Sequence, residues 1–413
     1  MMKIAIIGGG AAGMMCAATL AEKHTDGVVV FLIEKNSILG NKVIISGGGR
    51  CNVTTGIQDI EEVLKKYPRG KNLLKSAMYN FPQKKVYEWF EDHGVPLKTE
   101  ADLRVFPRSN DGGDVVGVFE NIFAKADVDV MLKTKVNNVQ KKGSKFVLDL
   151  ANGSYLEVDK LIITTGGQAY KTTGSTGDGY SFAEELGHSI TPLAPSLNAF
   201  ILKEKWVKDL AGVSFKKSGL KIVGDKTSKF EGAFLFTHNG ITGPAVFALS
   251  SMAAFELSDL KKEVKMFIDF LPEFNYEEMS EKIRKALKEN PKKSFVNTLD
   301  FFIPKSLAQV ICYDIGIEAK KINAEIGKYE INKAVEWLKN ASITVVGRSA
   351  GEEFVTAGGI DSKEINPKTL ESKICPGLYF AGEILDVDGF TGGFNLQAAW
   401  CTGRLIGDSI SEG

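Results

Sequence analysis

Three glycines, Gly8, Gly10 and Gly13, follow the apolar run Ile4, Ala5, Ile6, Ile7 in the spacing G-x-G-x-x-G. The spacing suits a strand that turns sharply into a helix whose free amides face a diphosphate. Gly8 permits the tight turn, Gly10 lets backbone approach a pyrophosphate, and Gly13, beside Ala12, allows the helix to lie close on the strand. Glu34 ends the next apolar run, Val28 to Ile33, where a carboxylate can accept from ribose hydroxyls, and Lys35 follows it. An acid at that point disfavours a 2′-phosphate. A bare glycine turn between strand and helix would need no Glu34.

A second concentration of glycine and polar donors comes next: Lys42, Ile44, Ile45, Ser46, Gly47, Gly48, Gly49, Arg50, Cys51, Asn52. Three consecutive glycines allow close backbone approach, and Lys42 and Arg50 offer charge-assisted bonds to phosphate or to an anionic ring. A flexible loop with surface cations is the plainer alternative. Near the other end, Tyr379, Phe380, Ala381, Gly382, Glu383 form a short apolar strand closed by a glycine and an acid. Asp386, Asp388, Gly389, Gly392, Gly393, Asn395, Leu396 and Gln397 follow and open a second helix. Such a helix start sets amides against ring oxygens that gather negative charge on reduction, and the acids suit ribityl hydroxyls. Two glycine sites of phosphate and ring size favour FAD over a nicotinamide as the resident cofactor.

The elements that must position these residues are read from periodicity. Lys3 to Ile7, Met14 to Lys23 and Val28 to Ile33 make a strand, helix and strand. Val86, Trp89 and Phe90 fall on one face of a helix and read as core. From Asp127 to Val158, short strands at Val128 to Leu132, Lys135 to Lys141 and Lys145 to Leu150 suggest a meander. Asp159 to Thr165 is a buried strand ending at Gly166 and Gly167. Residues 196–272 are β-rich with few helical signals, 273–340 are mostly helical with the stripe Met279, Ile283, Ala286, Leu287, and a last helix runs from Asn395 to Ile410. The expected class is α/β. A Rossmann-like domain spans 1–190 and 347–413, a β-rich, barrel-like insertion spans 191–272 and 341–346, and a small helical subdomain spans 273–340.

Composition narrows the partners. Lys plus Arg and Asp plus Glu each total 51 in 413 residues, so no global field favours nucleic acid or a membrane surface, and small molecules are the expected partners. No apolar stretch reaches the length of a membrane helix, and none resembles an export signal. Five scattered cysteines without CxxC or metal-ligand spacing point to a reducing cytoplasm and to no bound metal.

Lys42-x-x-Ile45-Ser46-Gly-Gly-Gly-Arg50-Cys51-Asn52, Tyr379-Phe-Ala-Gly-Glu383 and Gly389-x-Thr-Gly-Gly-Phe-Asn395-Leu-Gln397-Ala-Ala-Trp400 resemble the BaiN-like (YhiN-like) family of FAD-dependent oxidoreductases. Phe106-Pro107, Thr165-Gly166-Gly167, Thr237-His238-x-Gly-Ile-Thr-Gly243-Pro244 and Thr356-Ala-Gly-Gly359 extend the resemblance over essentially the whole chain. The resemblance implies the three-part fold above. It also implies reduction of conjugated C=C bonds through flavin N5 with NADH or NADPH as a transient donor, or oxidation of a small amine such as aminoacetone. A flavin redox sensor and a tRNA-modifying flavoprotein are the readings from other classes, and the balanced charge weighs against the second.

The expected cofactor contacts are Gly8, Gly10, Ala12, Gly13, Glu34, Lys35, Lys42, Ser46, Gly48, Arg50, Asn52, Val136, Thr165, Gly166, Gly382, Glu383, Asp386, Gly393, Asn395, Leu396 and Gln397. His238, in a glycine-rich turn, is the candidate proton donor. Cys51 is expected to be a packed small residue, and His24, His93 and His188 surface or helix-end residues.

Overall fold

The structure is a computed structural model that describes every residue except 24–26, 127, 225, 258–262, 350–353 and 413. His24 and Asp127 therefore lie outside the described residues. The chain divides into two compact units, Met1–Pro195 with Glu353–Gly413, and Ser196–Glu352.

In the first unit, Ile4, Ala5 and Ile6 are wholly buried, so this strand needs neighbours on both edges and cover on both faces. It lies at the centre of a parallel sheet in the order Leu378–Phe380, Lys160–Ile163, Met2–Ile7, Val28–Ile33, Val128–Met131. The helix Ala11–Glu22 makes the first crossover and packs along the last helix, Phe394–Ser411. Small residues allow that approach: a Cβ on Gly403 would sit 2.3 Å from the Ala12 carbonyl oxygen, and one on Gly407 would sit 2.6 Å from Thr19 Cβ.

The expected meander begins later than its sequence pattern suggested. Val128–Met131 pairs in parallel with Val28–Ile33, because the helix Gly112–Phe123 before it returns the chain in a crossover. The antiparallel meander consists of Val136–Lys142, Lys145–Leu150 and Tyr155–Val158.

His188 also departs from expectation. It is 4% exposed, with Nδ1 2.9 Å from Glu364 Oε2 and Nε2 2.8 Å from Ser372 Oγ. Burial holds this imidazole below its ordinary value, and Glu364 pulls the other way. A base depressed in the folded state binds fewer protons there than in the unfolded chain, so the stability it contributes is present above about pH 6.5 and is lost on acidification. Urea unfolding between pH 7.5 and 5.5 should show wild type losing up to about 1.4 kcal/mol per pH unit more than His188→Gln. Parallel pH curves for the two proteins would remove the assignment.

The second unit is built on a closed barrel of six antiparallel strands, Phe200–Leu202, Gly240–Thr242, Thr227–Phe236, Ser214–Val223, Val264–Asp269 and Ala341–Arg348, in that order around the ring. Phe234, Phe236 and Phe270 form the centre of its aromatic core, with ring centroids 5.1 to 6.4 Å apart. One helix, Pro244–Met252, has no counterpart in the β-rich reading of this stretch. It starts at proline and is apolar nearly all round, so it carries no helical periodicity. In the helical part, Asn275 and Glu278 form a reciprocal cap on Tyr276–Glu289, and the stripe Met279, Ile283, Ala286, Leu287 is buried as expected. Among the described residues no helix is long and apolar enough to cross a membrane.

Candidate cofactor site

The first glycine turn is closed and rigid on one side and open on the other. Gly8 has φ +108, donates its N–H to Ile33 O, and would place a Cβ 2.6 Å from Thr164 O. A Cβ on Gly13 would lie 2.0 Å from Gly8 O, so helix and turn are in backbone contact. Gly10 has φ −84 and caps the helix without a side-chain bond, and nothing lies within 4 Å of where its Cβ would be. The first-turn amides of a 12-residue helix thus face open space, with no acidic residue in that turn.

Glu34 is 8% exposed, and its carboxylate is fixed by backbone: Gly9 N–H donates to Oε2 and Asn36 N–H to Oε1, both at 2.8 Å. Lone pairs remain for hydroxyl donors. Lys35 turns away to Asp178 Oδ2 at 2.7 Å and Thr176 Oγ1 at 2.5 Å. Ala12 is buried, and a Cβ on Gly382 would be 3.0 Å from its methyl group, which puts the two ends of the chain side by side.

In the second glycine segment, Gly47, Gly48 and Gly49 all have positive φ, and a Cβ on Gly48 or Gly49 would meet nothing. Ser46 braces the turn by donating from Oγ to Val43 O and accepting from Cys51 N–H at its carbonyl. Lys42 Nζ is 2.6 Å from Glu383 Oε2, and Glu383 Oε1 accepts from Thr356 N–H at 2.9 Å. Arg50 is engaged with protein: it pairs with Glu100 at 2.8 Å and stacks 3.8 Å from the centre of Phe106. Asn52 Oδ1 accepts from Val105 N–H. Cys51 is fully buried, its thiol pushed up to about 12 by burial, and the other four cysteines are buried too.

Val136 is buried at the start of the meander, opposite Leu150. Thr165 Oγ1, Tyr180 OH and Asp386 Oδ1 are buried oxygens without a hydrogen-bond partner, and Gly166 beside Thr165 has φ +73. Burial raises both the Tyr180 phenol and the Asp386 carboxyl above their ordinary values, and Arg69 opposes the rise at Asp386.

The last helix supplies the third wall. Its N-cap, Gly393, has φ +87 and no side-chain cap, and a Cβ there would sit 2.2 Å from Thr54 O. Asn395 closes the preceding loop by accepting from Gly389 N–H at 2.8 Å and donating to Gly389 O at 2.9 Å. Leu396 packs against the core. The Gln397 side chain is fully buried and bonded to Thr54 Oγ1 and Phe81 O, so it holds the helix start in place from behind. Tyr67 OH donates to Phe394 O at 2.6 Å, and Arg69 pairs twice with the wholly buried Asp388, at 2.5 Å. Neither Tyr67 nor Arg69 was expected here from the sequence, since both lie in a stretch without glycine motifs or acid pairs. His238 belongs to the second unit, exposed in the turn between the barrel strands Thr227–Phe236 and Gly240–Thr242.

Open space before two glycine turns, two helices without side-chain caps, and buried oxygens lacking partners fit a dinucleotide that carries a flavin ring. Residues 2–409 match the family described as HI0933-like protein Rossmann domain. The chain belongs to the HI0933-like family. The family resemblance drawn from the motifs and this match coincide over the whole chain.

Among curated proteins, the chain is similar to 3-dehydro-bile acid delta(4,6)-reductase of Clostridium scindens, 30% identical over 415 residues and 100% of both chains. It is similar as well to ribosomal RNA dihydrouridine synthase of Escherichia coli, 31% identical over 96% of this chain and 94% of that one. Among solved structures, 3-ketosteroid-delta4-(5alpha)-dehydrogenase from Rhodococcus jostii RHA1 shares the fold, with TM-score 0.51 at 14% identity over 100% of this chain and 97% of that one. This HI0933-like protein is an FAD-dependent oxidoreductase with a Rossmann-like FAD-binding fold.

Proposed function

We propose that this protein is a reductase that saturates a C=C bond conjugated to a carbonyl, with NADH or NADPH as the transient electron donor. One observation carries the reading. The two relatives bear names from different substrate classes, a steroid-like acid and an RNA, yet both names describe saturation of such a bond.

Bound FAD supplies the two-electron carrier that side chains lack. The chain's own residues hold and orient it. The open first-turn amides that follow Gly10 take the pyrophosphate, and Glu34 takes ribose hydroxyls. The uncapped amides after Gly393 present a positive helix end where charge gathers on reduction. The Lys42–Glu383 pair fixes the glycine segment, and Thr165, Tyr180 and Asp386 offer buried polar atoms for the ribityl chain. Saturating the bond also needs a proton, and His238, an exposed imidazole, is the proposed donor on its chemistry alone. The substrate is read as a small enone. The dihydrouridine synthase relatives favour a second reading, a uridine base in RNA, and oxidation of a small amine is the remaining alternative.

Anaerobic stopped-flow absorbance of the yellow protein tests the proposal. Mixing with NADH or NADPH should bleach the flavin band within seconds, and an enone or a uridine-bearing ribosomal RNA fragment should then restore it. Absence of bleaching by either nicotinamide, in protein with stoichiometric FAD, would exclude the reductase and direct attention to amines.

A further inference from the structure

The outward face of the barrel carries a charge arrangement that folding alone disfavours. In the paired strands Ser214–Val223 and Thr227–Phe236, Lys221 stands directly opposite Lys229. Like charges in that relation cost stability. On its other side Lys221 faces Phe267, and Phe267 faces Ser342, so one row across four strands reads lysine, lysine, aromatic, hydroxyl. Lys221 Nζ lies 4.5 Å from the centre of the Phe267 ring. Lys265, two positions from Phe267 on the same face, donates to Thr344 Oγ1 at 2.8 Å.

The nearby carboxylates are bonded to other lysines, and Glu263 acts on Lys265 only through space. Glu231 is bonded to Lys217 at 2.7 Å, Glu263 to Lys203 at 2.5 Å, and Asp269 to Lys339 at 2.7 Å. Among the described residues, none forms an ion pair with Lys221, Lys229 or Lys265. Three cations are thus held on one sheet face around an aromatic ring, with neutral side chains as the hydrogen-bond partners of two of them, Asn340 Oδ1 3.5 Å from Lys221 and Thr344 Oγ1 2.8 Å from Lys265.

We propose that this face of the barrel binds single-stranded RNA, with Lys221, Lys229 and Lys265 contacting phosphates and Phe267 offering its ring to a base. A sheet that presents cations and an aromatic is the arrangement by which unpaired strands are bound, since every base has a face to stack. The ring is half-buried within the sheet instead of projecting from a loop tip, which suits stacking better than insertion into lipid. The inference deepens the RNA reading above by giving the strand a place to lie, and its test needs no turnover.

The test is fluorescence anisotropy of a fluorescein-labelled 20-nucleotide poly(U) strand titrated with flavin-loaded full-length protein at several salt concentrations. Wild type should bind at low salt. Lys221→Gln with Lys229→Gln should flatten the slope of log affinity against log salt by about 1.4, since each phosphate contact contributes about 0.7 for single strands. These changes remove a repulsion, so they threaten folding less than a core substitution would, and an unchanged flavin-to-protein absorbance ratio reports intact protein. Phe267→Leu should weaken binding about 5- to 100-fold through lost stacking. Absence of binding by wild type, or a double variant with an unchanged salt slope, would overturn the proposal. So would binding to phosphatidylglycerol vesicles without binding to the strand. RNA binding by a protein that reduces only free enones would keep this surface and remove the RNA reading of the substrate.

Discussion

Gly10→Val is expected to fold like the flavin-free wild type and to purify colourless. The backbone at Gly10 is compatible with valine, φ being −84, and a Cβ there meets nothing in the protein, so no strain enters. The added methyl groups instead fill the space in front of the free helix amides. Losing two charge-assisted bonds there costs about 3 kcal/mol or more, an affinity loss of at least about 100-fold. Flavin absorbance per protein, measured with circular dichroism and a urea curve on the same sample, separates this outcome from misfolding. Gly10→Val protein that stayed yellow would show that the pyrophosphate lies elsewhere.

Arg69→Ala should have a large effect on stability. Asp388 is wholly buried and the Arg69 side chain is 13% exposed, and they meet through two bonds of 2.5 Å. Removing the guanidinium leaves a carboxylate in the core, which costs about 3–5 kcal/mol. Asp388 opens the loop that ends at Gly393, so the same change should weaken FAD binding by loosening the start of the last helix. Urea midpoints with and without added FAD measure both effects. Arg69→Ala combined with Asp388→Asn should recover part of the stability, because the buried charge is then gone. A single variant as stable as wild type would contradict the burial on which the argument rests.

The legible parts of this fold are those whose signal is local. Strand, glycine turn and helix from Met2 to Glu22 follow from a few adjacent residues, and so does the stripe on Tyr276–Glu289. The parts that escaped depend on partners far away in the sequence. His188 looks like a helix-end residue until Glu364 and Ser372 meet it, 176 and 184 positions on. Val128–Met131 has the composition of any short strand, and only the helix before it decides that it pairs in parallel. The helix Pro244–Met252 is buried nearly all round, which erases the periodicity that would reveal it. At the candidate site, the glycine motifs marked the segments, but not which side chains are held by protein. Arg50 was a natural phosphate ligand on type and spacing, and its bond to Glu100 lies fifty positions away. The pairing of Arg69 with Asp388 spans 319 positions and leaves no local pattern at all.

The close seating of Gly403 and Gly407 on Ala12 and Thr19 bears on how the protein is made. Synthesis runs from the amino terminus, so the helix Ala11–Glu22 leaves the ribosome long before the helix Phe394–Ser411 that covers it. Until then the apolar face of Ala11–Glu22 has no permanent cover, and the sheet lacks the strand Leu378–Phe380. A chain that stops before Phe394–Ser411 lacks one wall of the candidate cofactor site. Yellow colour in this protein is therefore also a report that translation has passed the helix Phe394–Ser411.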